Sequence, residues 1–239
     1  MVLNPSYSSD SLDLAHMRVG YGKKPVPPRP SEHPHLDESW LADGWFSVFL
    51  NWLRDATEYV APGGGRIAEP NAMVLGTVDD RGLPATRTVL CKGADERGLV
   101  FYTNYESDKA HHLDVHPYAS VTFPWVLIER QAHFRGQVEK VSAEETAEYW
   151  HTRPRGSQLG AWASHQSRRI SARGDLEAAL EAVTRQFCDL DYVPVPPFWG
   201  GYRLKPSVAE FWQGRENRLH NRIRCEKNGS GWEVFRLQP

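Results

Sequence analysis

The sequence carries almost no excess charge. Its 239 residues hold 28 Lys and Arg against 30 Asp and Glu, a formal net charge of −2. No global field therefore draws the chain to nucleic acid or to an anionic membrane. Long hydrophobic runs are missing too. The longest, such as Leu99-Val100-Phe101-Tyr102, are a few residues, against the roughly 20 that a membrane-spanning helix needs. Met1 to Asp10 contains neither a basic residue nor an apolar stretch, so no secretory signal is expected. Cysteine is scarce: Cys91, Cys188 and Cys225 are odd in number and widely spaced. They make neither a disulfide framework nor a zinc motif, and the plain expectation is a reduced, cytoplasmic protein. No HExxH is present, and His111, His112 and His116 read as solvated residues of a short helical segment; no metal is expected. Gly63-Gly64-Gly65 lacks the Lys-Ser/Thr pair of a phosphate loop, and the glycines flanking Ser157 sit at the wrong offsets for a nucleophile elbow.

What is present fits one sizeable domain: 40% hydrophobic and 24% charged residues support a core and exclude a disordered chain. Residues 1–39 hold six of the 17 prolines and read as a mobile arm, leaving 40–239 as a single domain. Trp45, Phe49, Trp52, Leu53 and Ala56 fall at helical spacing and predict a helix from Trp45 to Tyr59, stopped by the glycine run. Strands are expected over Ala72–Val78, Thr86–Lys92, Leu99–Thr103 and Ala119–Phe123. Val126 to Val141 alternates with Val126, Ile128, Ala132, Phe134 and Val138 on one face, long enough to require a bulge or bend. Ser142-Ala143-Glu144-Glu145 is a capping box opening a helix through Trp150. Leu176, Ala179, Leu180, Val183 and Phe187 form the stripe of a further helix. Strands return over Tyr202–Leu204, Val208–Trp212, Leu219–Cys225 and Trp232–Leu237. Many short strands with a few helices predict a mainly β fold, a barrel with added helices.

Cations recur beside hydroxyls and amides: Arg87-Thr88-Val89-Leu90-Cys91-Lys92; Tyr102 and Thr103 with Lys109; Arg130-Gln131; Tyr149, Arg153, Arg155 and Ser157; and Arg215, Arg218, His220, Arg222 and Arg224. A phosphate wants several such donors, with arginine as a planar fork and lysine as a point charge. One or two phosphorylated ligands, or a merely solvated strand face, are both compatible with this pattern. Strict alternation puts Arg87 and Lys92 on opposite faces of their strand.

Longer segments carry a resemblance. RTVLCKG (87–93), VFYTNYESDKA (100–110), FPWVLIERQ (123–131), YWHTRPRGSQLGAWASHQS (149–167), PVPPFWGGYRL (194–204) and EFWQGRENRLHNR (210–222) occur in one order, and the chain from about Pro70 to Pro239 resembles the pyridoxamine 5′-phosphate oxidase family. The resemblance implies a split β-barrel, assembled as a homodimer with FMN between the subunits. It implies oxidation of pyridoxamine or pyridoxine 5′-phosphate to pyridoxal 5′-phosphate, with O2 as acceptor and H2O2 released. FMN contacts would fall on Arg87, Lys109, Gln166 and Ser167, along Thr88, Val89, Leu90, Cys91 and Lys92, on Tyr102 and Thr103, and on Gln131, Trp212 and Arg222. The substrate phosphate would meet Lys92, Tyr149, Arg153 and Ser157. Arg218 and His220 would sit over the pyridine ring as the catalytic pair. Arg18 and Tyr21 match an N-terminal Arg-x-x-Tyr element and would fold over the site as a lid.

The chain departs from that pattern in places. RLHDR is here Arg218-Leu219-His220-Asn221-Arg222, Asp108 stands where a basic residue is usual, and Glu69 replaces an Asp. These departures keep two other readings open: a split-barrel oxidoreductase using another flavin or substrate, and a flavin or pyridoxal phosphate carrier without turnover.

Overall fold

The computed structural model describes Tyr21 and residues 36–239. Arg18 and nearly all of the proline-rich arm lie outside the described residues. The packed chain begins a few residues before residue 40: Leu36 is buried, and Glu38 forms a paired ion bridge with Arg236 (2.8 and 2.7 Å).

Among the described residues nine strands form one antiparallel sheet: β1 (Ala72–Val78), β2 (Pro84–Leu90), β3 (Gly93–Asp95), β4 (Gly98–Asn104), β5 (Tyr118–Trp125), β6 (Arg130–Lys140), β7 (Trp199–Gln213), β8 (Asn221–Asn228) and β9 (Gly231–Arg236). The pairing order is β2-β1-β5-β6-β7-β4-β3. The two ends of that order are consecutive in the chain. After Leu90, Cys91 N–H still donates to Asn71 O on the β1 side, while Lys92 N–H already donates to Val100 O on the β4 side. This switch curls the sheet toward a barrel. β7 is the strand that splits. Along one edge it pairs with β6. Along the other, Trp199–Leu204 pair with β4 and Val208–Gln213 with β8.

The β6–β7 register shifts between Arg135 and Gly136, opposite Pro206. Proline has no N–H to give the ladder, so a bulge is the local solution. Gly136 completes it, because a Cβ there would overlap the Lys205 carbonyl.

α1 (Phe46–Glu58) fills the curl. Trp45, Phe49, Trp52 and Ala56 recur on one helical face and are buried. Phe49 meets Phe123 at 4.9 Å, Trp52 meets Phe211 at 5.2 Å, and Trp45 meets Phe134 at 5.1 Å. Each buried ring contributes about 2 kcal/mol or more through apolar area. Asp55, on the same helix, pairs with buried Arg130, whose guanidinium lies 5.0 Å over Trp52. A smaller apolar cluster of Trp150, Leu159, Phe187, Val193 and Trp199 joins α3 (Ala143–Thr152), α4 (Arg155–Ala163) and α5 (Arg173–Gln186) to the start of β7. α2 (Asp108–Val115) follows β4.

The mainly β barrel with helices agrees with the expected fold class, and the Ser142 capping hydroxyl accepts from Glu145 N–H as the capping box predicts. Several elements differ. Val126–Ile128 is a 3-10 turn closed by left-handed Glu129 (φ 56°), so Val126 is exposed and the strand begins only at Arg130. Tyr202 and Val208 share one strand, because the bulge absorbs Pro206. The α5 stripe is only half covered: Phe187 is buried, while Leu176 and Leu180 are exposed. α4 has no counterpart in the sequence reading, since its two glycines mask the helical pattern. No helix of the described residues is long and apolar enough to cross a membrane.

Two substitutions probe this packing. Gly136→Ala should cost about 2 kcal/mol or more in urea unfolding, because neither strand can yield at the bulge; an unchanged midpoint would show the bulge to be soft. Asp55→Ala strands a buried guanidinium and should cost about 3 kcal/mol, read by the same titration.

Candidate active site

A cleft of about 770 Å³ opens between the end of β2, the C-terminal half of β4, the first turn of α2, and the α3–α4 corner. Arg87, Thr88, Val89, Leu90, Lys92, Tyr102, Thr103, Lys109, Tyr149, Arg153, Ser157, Gln166 and Ser167 all line it. Arg87 and Lys92 therefore share one cleft, contrary to the alternation argument. β2 ends at Leu90, and the chain turns at Cys91–Lys92 to change partners, so pleat parity does not carry through. Cys91 is not in the lining. Its side chain packs into the core and donates to Gly93 O at 3.3 Å, and burial pushes its thiol up to about 11.

The cleft holds its cations on neutral partners. Lys109 is buried, and its Nζ donates to Gln166 Oε1 (2.7 Å), Thr103 Oγ1 (3.1 Å) and Ser107 Oγ (3.1 Å). Burial, with the nearby Arg87 charge, brings its ammonium down to about 8. Arg87 donates from Nη1 to Thr77 Oγ1 (2.7 Å) and Leu75 O (3.2 Å), and burial lowers its pKa. Asp108, the first residue of α2, lines the same cleft, and its charge opposes both shifts without a direct ion pair to either cation.

In the same cleft, Arg153 lies 4.6 Å over the Trp199 ring and 5.0 Å over Trp150. Its Nη2 donates to Ser157 O (3.0 Å), while its buried Nη1 has no partner among the described residues. Tyr102 stacks on Tyr149 (4.0 Å, 19°) and lies parallel to Trp199 (5.4 Å, 13°). Burial pushes the Tyr102 phenol up to about 12 and raises that of Tyr149. Half-desolvated cations without bonded carboxylates favour an anion, and the flat aromatic wall suits a planar ring. The donor set thus fits FMN and a second phosphorylated ligand. Asn104, in the sequence run from Tyr102 to Lys109, also lines the cleft, as do Trp199 and Ser164, to which the sequence pattern assigned no role.

The other expected site residues lie elsewhere in the chain. Gln131, Trp212 and Arg222 are cross-strand neighbours in one row over β6, β7 and β8. Arg222 is held by Glu210 (2.8 Å), which also binds Arg224 (2.9 Å). Tyr21 meets Trp212 edge-on at 5.6 Å and His220 at 5.5 Å. Tyr21, Gln131 and Trp212 line a separate pocket of about 250 Å³. His220 Nδ1 accepts from Arg215 N–H (3.0 Å), so the neutral ring carries its proton on Nε2. Arg218 is exposed and left-handed (φ 63°), following left-handed Asn217 (φ 55°). Asn221 uses both ends of its amide: Nδ2 donates to Gln213 Oε1 (3.1 Å), and Oδ1 accepts from Arg236 Nη1 (2.9 Å). A carboxylate would keep only the second bond.

Comparison with known proteins agrees with this geometry. Residues 65–187 match the family described as Pyridoxamine 5′-phosphate oxidase, and residues 199–239 match the Pyridoxine 5′-phosphate oxidase C-terminal dimerisation region. The chain is 55% identical over 234 residues to the pyridoxine/pyridoxamine 5′-phosphate oxidase of Mycolicibacterium smegmatis, covering 96% of this chain and 95% of that one. The enzyme of the same name from Nocardia farcinica is 54% identical over 232 residues, covering 96% and 100%. Among solved structures, PhzG from Burkholderia lata, in complex with tetrahydrophenazine-1-carboxylic acid, superposes with a TM-score of 0.74 at 30% identity, covering 81% of this chain and 91% of that one. Fold, cleft and sequence together make this chain a member of the pyridoxamine 5′-phosphate oxidase family.

Proposed function

We propose that the protein converts pyridoxine 5′-phosphate and pyridoxamine 5′-phosphate to pyridoxal 5′-phosphate with bound FMN. The alcohol and O2 give the aldehyde and H2O2; the amine, O2 and water give the aldehyde, ammonia and H2O2. The observation that carries the reading is one cleft lined by four cations, Arg87, Lys92, Lys109 and Arg153, together with the stacked rings of Tyr102 and Tyr149.

In this reading Arg87 and Lys109 hold the FMN phosphate, with Gln166, Ser167 and Thr103 adding neutral donors. Lys92, Tyr149, Arg153 and Ser157 hold the substrate phosphate, and the free Arg153 Nη1 supplies a donor already desolvated. FMN supplies the two-electron redox chemistry, with O2 as final acceptor. Arg218 and His220 orient the substrate ring, with the His220 Nε2 proton available as a hydrogen-bond donor. Gln131, Trp212 and Arg222 complete the flavin site from the partner subunit of a homodimer, in line with the dimerisation region matched over residues 199–239. Four cations lining one cleft, more than one phosphate needs, favour this reading over a carrier of flavin alone.

The direct test is turnover: the FMN-loaded protein with pyridoxine 5′-phosphate in air should form aldehyde and peroxide in equal amounts. Bound FMN without product would overturn the assignment. Arg153→Ala should raise KM for the phosphorylated substrate by about tenfold to a hundredfold, the worth of a charge-assisted bond, and leave FMN affinity unchanged. FMN affinity should fall as pH rises through about 8, because the Lys109 ammonium loses its charge there. Lys109→Met should bind FMN about tenfold more weakly at neutral pH and lose that pH dependence. Both are read from the quenching of flavin fluorescence.

A further inference from the structure

Arg87 is fixed by an unusual chain of neutral groups. Among the described residues its guanidinium is hydrogen-bonded through Nη1, to Thr77 Oγ1 (2.7 Å) and Leu75 O (3.2 Å). A guanidinium N–H can only donate, so Thr77 accepts from it. The single hydrogen of the Thr77 hydroxyl is then directed to His112 Nδ1, 2.9 Å away. Thr77 is 2% exposed, so this hydroxyl has no bulk water to turn to. Leu75 pairs with Arg87 across β1 and β2, and Thr77 lies two residues along the same strand, on the same face. His112 lies three residues after Lys109 on α2, one turn on. The helix that delivers Lys109 to the cleft therefore also delivers the far end of the chain that holds Arg87.

We propose that Thr77 and His112 are positioning residues for the flavin phosphate, fixing the Arg87 fork so that its remaining N–H groups face the phosphate beside Lys109. This rests on reading Arg87 and Lys109 as the FMN phosphate pair. It gives His112, which the sequence alone reads as one of three solvated histidines but which is half-buried here, a defined task. It also makes α2 the element that sets both cations, one directly and one through two hydrogen bonds.

The test compares FMN with riboflavin, which has the same ring and no phosphate, in titrations of the apoprotein followed by flavin fluorescence. Thr77→Val keeps the shape and removes the hydroxyl. His112→Phe removes the acceptor, and His112→Asn retains one near the Nδ1 position. Thr77→Val and His112→Phe should each weaken FMN binding by about fivefold to tenfold, the worth of one or two hydrogen bonds, and leave riboflavin binding unchanged. His112→Asn should restore most of the loss. Equal weakening of FMN and riboflavin would mark a purely structural role and overturn the proposal, as would no change in either. Arg87→Ala is the control for the underlying reading: if it leaves the preference for FMN over riboflavin intact, the phosphate is held elsewhere and the reading fails with the inference.

Discussion

The length of β7 governs the rest of the structure. Trp199, at its start, walls the cation cleft, and Trp212, near its end, stands in the row with Gln131 and Arg222. Thirteen strand steps separate them, which at about 3.3 Å each is roughly 40 Å of path along the strand. The bulge at Gly136 and Pro206 bends that path without shortening it. In the proposed reading one chain carries two half-sites, and a second copy that brings the end of one β7 to the start of the other completes the site.

Charge pairing supports the proposed placing of both phosphates in the cleft. Several buried or half-buried cations of the described chain have carboxylates in contact: Arg130 has Asp55, Arg203 has Asp95 and Glu145, and Arg222 and Arg224 share Glu210. Arg87, Lys109 and Arg153 do not. They rest on hydroxyls, carbonyls, an amide and aromatic faces. Leaving buried cations on neutral partners costs stability unless an anion arrives. The same desolvation strengthens each bond once it does. Asp108 also lines the cleft, and its charge works against the lowering of the Arg87 and Lys109 pKa values.

Local patterns in the sequence made much of the fold legible. β1 has the predicted ends, α1 differs by a residue at each end, and the Ser142 capping box forms. Alternation located the buried face of β6 at Ala132, Phe134 and Val138. It failed where the chain changes partner. Cys91–Lys92 leaves one neighbour for another, so parity from Arg87 to Lys92 is lost. The strands expected over Tyr202–Leu204 and Val208–Trp212 are one, because the missing N–H of Pro206 is absorbed by a bulge visible only in the paired strand. The site residues were nameable through resemblance over long segments. Their division into a cleft and a distant row was not, because it depends on the register of β6, β7 and β8. Thr77 and His112 carried no local signal, since their bonds cross from β1 to α2.

The sharing of one site between two chains is the claim most open to direct attack. A chain carrying Arg153→Ala, damaged in the cleft, and one carrying Arg218→Ala, damaged on the loop before β8, can be co-expressed with different tags and the mixed dimer isolated. Both parent dimers should be nearly inactive. The mixed dimer should recover about half of the wild-type turnover, because symmetry leaves it one site with both residues intact. A mixed dimer as inactive as its parents would mean that each site is built within one chain, and would contradict the division of the site between the two ends of β7.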